Sequence, residues 1–221
     1  MKVYIIHNSQ SLSIKYATEC YESFSTFNNW EPFLFNGCNP DTLDEYQDRY
    51  NLTNKRAKCP KERYKSKKSC FYSHYELWNL AVNLNEKIAI VEHDTYCIGD
   101  MPESLEFTGA LQLSVESAAR EKLYKIWIND YHRLMSRKDG IHTLDICRKI
   151  EGHTPLIANM AYAITPNAAS ILIEDCKKNG WLQNDNLITS KYFDIEYLLP
   201  SVIKYDKSKE LGTSINYENG E

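Results

Sequence analysis

The chain has 221 residues, with 26 Lys and Arg against 30 Asp and Glu, a net charge of −4 and 43% hydrophobic residues. That is one domain's worth of chain, able to bury roughly 70% of its extended surface without a metal or disulfides to hold a core. An aromatic content of 12% excludes general disorder, and the acidic balance excludes an electrostatic wrapper of nucleic acid while leaving room for a local basic patch. The opening MKVYIIHNSQ carries too short an apolar run for a secretory signal, and no stretch approaches the length of a membrane span. A cytoplasmic location is therefore expected. The seven cysteines are dispersed and contain no C-x-x-C, which predicts reduced thiols, several of them buried, and no zinc ribbon.

In chain order, residues 2–7 read as a buried strand and 11–25 as a helix whose face is Leu12, Ala17, Cys20, Tyr21 and Phe24. Residues 31–36 read as a second strand, so the chain opens as an α/β sheet. Residues 39–70 are polar and poorly periodic. Within 55–68, eight lysines and arginines face one acid, Glu62, a pattern that fits either a solvated loop or a site for phosphates. Ser73 and Glu76 form a capping box that predicts a helix start at Ser73, with Leu77, Leu80, Ala81 and Leu84 on its apolar side. Residues 88–91, wholly apolar, predict a central strand of a parallel sheet, and residues 109–113 another strand. Residues 116–138 predict a long helix with a basic face, ended by Asp139-Gly140. Residues 159–164 resume the sheet. Thr165, Pro166 and Gly180 frame a further helix, and residues 183–199 hold a loop, a short helix and a last strand. The expected organisation is one domain over 1–206, with a helical insertion near 116–138 and a polar tail over 207–221.

The sharpest chemical signal is Glu92-His93-Asp94, directly after the apolar strand, at the sheet edge where ligands bind in open α/β folds. If the chain stays extended there, Glu92 and Asp94 point the same way and can share Mn²⁺ or Mg²⁺, with His93 as a third ligand. A pair of surface carboxylates in a turn is the alternative. His74, in the first turn of its predicted helix, can donate to a phosphate or a sugar hydroxyl beside free helix-start N–H groups. His7 ends the first strand, and Asn8 and Ser9 follow it toward a base or ribose. Asp185, in an Asn-Asp-Asn cluster after Trp181, can take the proton of an attacking hydroxyl or cap a helix. Lys61, Arg63, Lys65, Lys67 and Lys68 are the candidate phosphate contacts. No P-loop, dinucleotide fingerprint or nucleophile elbow is present.

Taken in order, four stretches resemble glycosyltransferase family 25, the group containing lipooligosaccharide galactosyltransferases. They are the strand from Val3 to His7; Cys70-Phe71-Tyr72-Ser73-His74-Tyr75-Glu76-Leu77-Trp78; Ile88 to Asp94; and Ala161-Tyr162-Ala163-Ile164-Thr165 with Ala168-Ala169. Asp185 and Tyr197-Leu198-Leu199-Pro200 match more loosely. The resemblance implies a GT-A-like α/β fold with a central, mostly parallel sheet. It also implies a nucleotide-sugar donor of the common UDP-linked kind, Mn²⁺ or Mg²⁺, and inversion at the anomeric carbon. Carried over, Glu92 and Asp94 fall on the metal motif, Ser73 and His74 on the Ser-His helix start, and Asp185 on a late aspartate. His93 replaces the central aspartate of the motif, which puts the ligand set in doubt. The family implies a lipopolysaccharide acceptor. The two basic segments tip the expectation toward double-stranded DNA, as in a phage-encoded member acting on 5-hydroxymethylcytosine in the host cytoplasm. A non-catalytic nucleotide or nucleic-acid binding module is a competing class, and no obligate protein partner is evident.

Overall fold

The computed structural model describes residues 1–56, 64–115, 132–143, 150–156 and 159–206. A seven-stranded mixed sheet runs in the order β2-β1-β3-β7-β5-β8-β6. Its strands are β1 (Lys2–His7), β2 (Glu31–Asn36), β3 (Ile88–Glu92), β5 (Ala110–Gln112), β6 (Gly140–Thr143), β7 (Ala161–Ile164) and β8 (Ile195–Leu199). Strands β4 (Thr95–Cys97) and β9 (Ile203–Tyr205) pair separately. The helices are α1 (Ser11–Phe24), α2 (Leu43–Tyr50), α3 (Tyr64–Leu84), α4 (Pro166–Asn179) and the single turn α5 (Asn184–Leu187).

The edge that matters for function is set by β2-β1-β3, which is wholly parallel. The chain leaves β1 through α1 and lays β2 on one side. It then returns through α2 and α3 to lay β3 on the other. The two crossovers cover opposite faces: Ala17, Cys20 and Phe24 of α1 join one core cluster, and Phe71, Leu77, Trp78 and Ala81 of α3 join the second. Strand alternation feeds both. Ile88 and Ile90 face α3 while Ala89 and Val91 face the α1 side, and Tyr162 and Ile164 alternate likewise with Ala161 and Ala163. Because the connections diverge at β1, a crevice opens at the carboxyl ends of β1 and β3, where Ile6 is in register with Glu92.

The α/β class and the parallel opening agree with the sequence reading. So does the capping of α4: Thr165 Oγ1 accepts from the Ala168 N–H at 3.2 Å, Pro166 follows, and Gly180 ends the helix. Three expectations are corrected. Helix α3 already runs at Tyr64, so Ser73 is no cap; its hydroxyl bonds back to the Ser69 carbonyl at 3.1 Å, a mid-helix habit of serine. Residues 43–50, read as loop, are helical because Leu43, Tyr46 and Tyr50 share one face against Tyr72 and Tyr75. Gly140 opens strand β6 rather than merely ending a helix. Of the predicted long helix, residues 116–131 lie outside the described residues, as does the 207–221 tail, and residues 132–135 are helical. The cysteines at 20, 38, 70, 97 and 176 are free thiols.

One junction braces the helical layer. Gly180 has φ +86° and ψ 172°, a region essentially closed to other residues. A Cβ there would stand 2.3 Å from the Thr53 carbonyl oxygen. That carbonyl accepts from the Trp181 N–H at 3.1 Å, and Arg56 Nε donates to the Gly180 carbonyl at 3.1 Å. Gly180→Ala is expected to destabilise the fold by about 2–3 kcal/mol. Urea denaturation checks this, and an unchanged midpoint would contradict it.

Candidate functional site

The crevice at the β1–β3 switch is lined by Ile6, His7 and Asn8 from β1, Cys38 to Pro40 after β2, Cys70 and His74 from α3, and Glu92 and His93 from β3. Lys67, Cys70 and His74 lie three and four residues apart on α3 and so share a face. His74 is 1% exposed. Its Nδ1 lies 2.8 Å from the Tyr162 hydroxyl, which also accepts from Trp78 Nε1 at 2.9 Å. Its Nε2 lies 3.9 Å from a Glu92 carboxylate oxygen and has no hydrogen-bond partner among the described residues.

The carboxylates converge on this helix face. Glu92 ends β3, but the chain then turns at His93-Asp94 instead of staying extended, and Thr95 Oγ1 closes the turn on the Glu92 carbonyl at 2.8 Å. The expectation of two carboxylates aligned along a strand is therefore corrected. The turn still keeps both near Cys70, whose thiol is pushed well above its ordinary value, first by burial and then by the charges of Glu92, Asp185 and Asp94. Asp185, on α5, is exposed at a crowded mouth. Desolvation raises its carboxyl above the ordinary value and Glu92 adds to the rise, while His74, Lys67 and the Asn159 backbone N–H oppose it. The structure thus brings together His7, Asn8, His74 and Glu92, with Asp94 in the adjoining turn and with Glu92, His74 and Lys67 acting on the Asp185 carboxyl.

The remaining predicted residues divide between the crevice wall and other parts of the fold. Ser73 is buried at the crevice wall, its hydroxyl donating to the Ser69 carbonyl at 3.1 Å and the Cys38 carbonyl at 3.4 Å. Ser9 accepts from Asn39 Nδ2 at 3.2 Å, beside the crevice. His93 lines the crevice while its ring lies parallel to Tyr16, 6.5 Å away between centres. Lys68 is 2% exposed, bonded to Gln47 and, at 2.9 Å, to Asn54, and enclosed by the rings of Tyr64, Tyr72 and Trp181. It braces α3 against α2 and does not face a ligand. Lys65 is exposed, and Lys61 and Arg63 lie outside the described residues. Cys70 is the site residue missed in the sequence; its spacing of four from His74 is the signal that marks it.

The Cys70 thiol, His74 Nε2 and a Glu92 oxygen lie within 4.8 Å of one another, close enough to enclose a cation. Their chemistry separates them. Burial and the neighbouring carboxylates push the Cys70 thiol up, so the Glu92 oxygen is the readier ligand. The oxygen donors of Glu92 and Asp94 fit a hard divalent ion.

A family model, described as glycosyltransferase family 25 (LPS biosynthesis protein), matches residues 15–188. No curated protein matches the chain. Among solved structures, mouse xyloside xylosyltransferase 1 in its apo form is similar at 8% identity and a TM-score of 0.39, over 86% of this chain and 81% of that one. The family match spans most of the chain, including the crevice helix, the Glu92–Asp94 turn and Asp185, and the chain belongs to glycosyltransferase family 25.

Proposed function

We propose that the protein is a metal-dependent, inverting glycosyltransferase that moves a sugar from a nucleotide sugar, in the common case UDP-linked, to a hydroxyl of a saccharide. The observation that carries this reading is the convergence of Glu92, Asp94 and Asp185 with His74 at the switch point of a family 25 chain. Glu92 and Asp94 would hold Mn²⁺ or Mg²⁺, which supplies neutralisation of the departing diphosphate. His7, Asn8 and Ser9 meet the nucleoside end of the donor at the close of β1. Lys67 acts on Asp185 and adds positive charge beside it. Asp185 takes the proton of the acceptor hydroxyl as its oxygen attacks the anomeric carbon opposite the breaking bond to diphosphate; its raised carboxyl suits a base. Charge at the sugar develops as in glycoside hydrolysis.

The role of His74 follows from proton counting. The indole of Trp78 can only donate, so the Tyr162 oxygen accepts from it. The buried phenolic proton has, among the described residues, His74 Nδ1 as its acceptor; donating it there leaves the N–H of neutral His74 on Nε2, beside Glu92. His74 thereby presents a donor to the crevice, for a diphosphate or sugar oxygen, and not a lone pair for a metal.

For the acceptor, a saccharide is favoured over DNA. The DNA reading leaned on two basic segments. Lys68 is withdrawn from one by burial, and most of the other lies outside the described residues. The family description points to lipopolysaccharide biosynthesis. No helix among the described residues is long and apolar enough to cross a membrane.

Asp94→Asn and Glu92→Gln are each expected to lower kcat/KM on the order of 10²–10³-fold, the scale of several kcal/mol of charge stabilisation. The assay supplies labelled UDP-sugars with Mn²⁺ to truncated lipooligosaccharide, with 5-hydroxymethylcytosine duplex DNA as a parallel acceptor. Incorporation into the glycan alone, abolished by EDTA, is the expected result. Full activity in EDTA would remove the metal role, and incorporation only into DNA would overturn the acceptor. A second expectation concerns the relay. The ¹⁵N shifts of His74 should report the Nε2–H tautomer in the wild type. Tyr162→Phe should cost about 1–3 kcal/mol, because it leaves the Trp78 donor and His74 Nδ1 without the hydroxyl. A wild-type Nδ1–H tautomer would contradict the assignment.

A further inference from the structure

A second cavity, of about 430 Å³, lies on the other side of α5. That size falls in the range of roughly 300–1,000 Å³ typical of small-ligand sites. Gln183 and Asn186, three residues apart and therefore on one face, line the second cavity and are joined by a 3.4 Å bond from Asn186 Nδ2 to Gln183 Oε1. Asp185, between them in sequence, projects from the turn toward Glu92 and His74 instead. A molecule in the second cavity would thus lie against the turn that carries the carboxylate assigned to take the acceptor's proton.

The cavity is built rather than incidental. Its far rim is a two-residue turn in which Ile150 and His153 exchange both backbone hydrogen bonds at 2.9 Å, with Glu151 at φ +50° and Gly152 at φ +84°. Turns of this class normally carry Asn or Asp before the glycine, and a left-handed glutamate is uncommon there. The next segment is tied to the α5 side: the Ser190 N–H donates to the Thr154 carbonyl at 2.7 Å, and the Leu156 N–H to the Ile188 carbonyl at 2.9 Å. The chemistry of the lining is that of a charged sugar site. Gln183, Asn186 and Thr189 offer hydrogen bonds suited to hydroxyl groups, and Tyr192 offers a ring, with the Lys191 ammonium 5.1 Å from its centre. Among the described lining residues, Lys55, Lys191 and His153 face one acid, Glu151, because Arg56 is already matched by Asp175 at 2.6 Å.

We propose that this cavity is the acceptor subsite and that it takes a saccharide bearing an anionic group, a carboxylate or a phosphate. The proposal rests on the glycosyltransferase reading for its name, but the binding it asserts can be measured without turnover.

The test is a ¹H–¹⁵N chemical-shift titration of the full chain, saturated with UDP and Mg²⁺, against glucose, glucuronate, glucose 6-phosphate and inorganic phosphate. Glucuronate or glucose 6-phosphate should bind saturably, shifting amides at 150–153 and 183–192, at least tenfold more tightly than glucose or inorganic phosphate. The tighter of the two identifies the anionic group. The Lys55→Glu/Lys191→Glu pair should lose at least tenfold in affinity while keeping the wild-type melting curve; Lys191→Gln, which conserves the stem, should show a smaller loss in the same direction. Three results would overturn the proposal: no saturable binding, glucose or bare phosphate binding as tightly as the charged sugars, or affinity unmoved by the lysine variants. Saturable binding here with no sugar transfer from any donor would remove the glycosyltransferase reading and leave the cavity's ligand class standing. Transfer without binding at these amides would do the reverse.

Discussion

One buried hydroxyl organises the molecule. Tyr162 sits fully buried in β7, near the middle of the sheet, and its oxygen meets Trp78 and His74 of α3 at 2.9 and 2.8 Å. A polar atom in an apolar core is costly unless paired, so this contact admits one register of helix on sheet. With His74 held there, Cys70 lies one turn earlier and Lys67 two, which carries Cys70 to the crevice and lets Lys67 act on Asp185. The aromatic packing of Phe71, Tyr75 and Trp78 around the contact makes the position rigid. A site placed on a packed helix and a strand end is more exactly held than one built on loops alone.

Charge is arranged around that frame in two compartments. At the crevice the charge of Glu92 raises the Asp185 carboxyl, a repulsion that a cation or a proton would relieve. The neighbouring cavity gathers Lys55, Lys191 and His153. Helix α5, one turn long, carries Asn186 of the cavity and, next to it in sequence, Asp185, which is acted on by Glu92 and His74. On the proposed reading, leaving-group chemistry belongs to the crevice and the body of the attacking molecule to the cavity, its reacting hydroxyl reaching Asp185.

Much of the fold was legible because its signals are local. Apolar runs marked β1, β3 and β7, and Thr165, Pro166 and Gly180 framed α4. The Glu92–Asp94 pair and Asp185 were legible as residues, since acids after a buried strand or an aromatic stand out. Their geometry was not, because a turn at His93 follows from the β4–β9 pairing, a contact between segments about a hundred residues apart. The start of α3 was hidden by its own chemistry. Lys65, Lys67 and Lys68 read as a solvated run, yet Ser66, Lys68 and Ser69 are buried, and small residues beside a snorkelling lysine give no apolar period. Ser73 misled for the same reason, since a serine followed by a glutamate three residues on looks identical as a cap and as a mid-helix residue. Cys70 was missed because its meaning depends on Glu92, which reaches it only through the tertiary fold.

The central claim is that the carboxyl ends of β1 and β3, with the near side of α5, form the donor and metal site. Paramagnetic broadening of backbone amides by Mn²⁺ in the presence of UDP tests it most directly. The account predicts broadening centred on residues 7–9, 70–74, 92–95 and 185, with 150–153 and 191–192 less affected. Broadening centred on the second cavity, or spread evenly over surface acids, would contradict it.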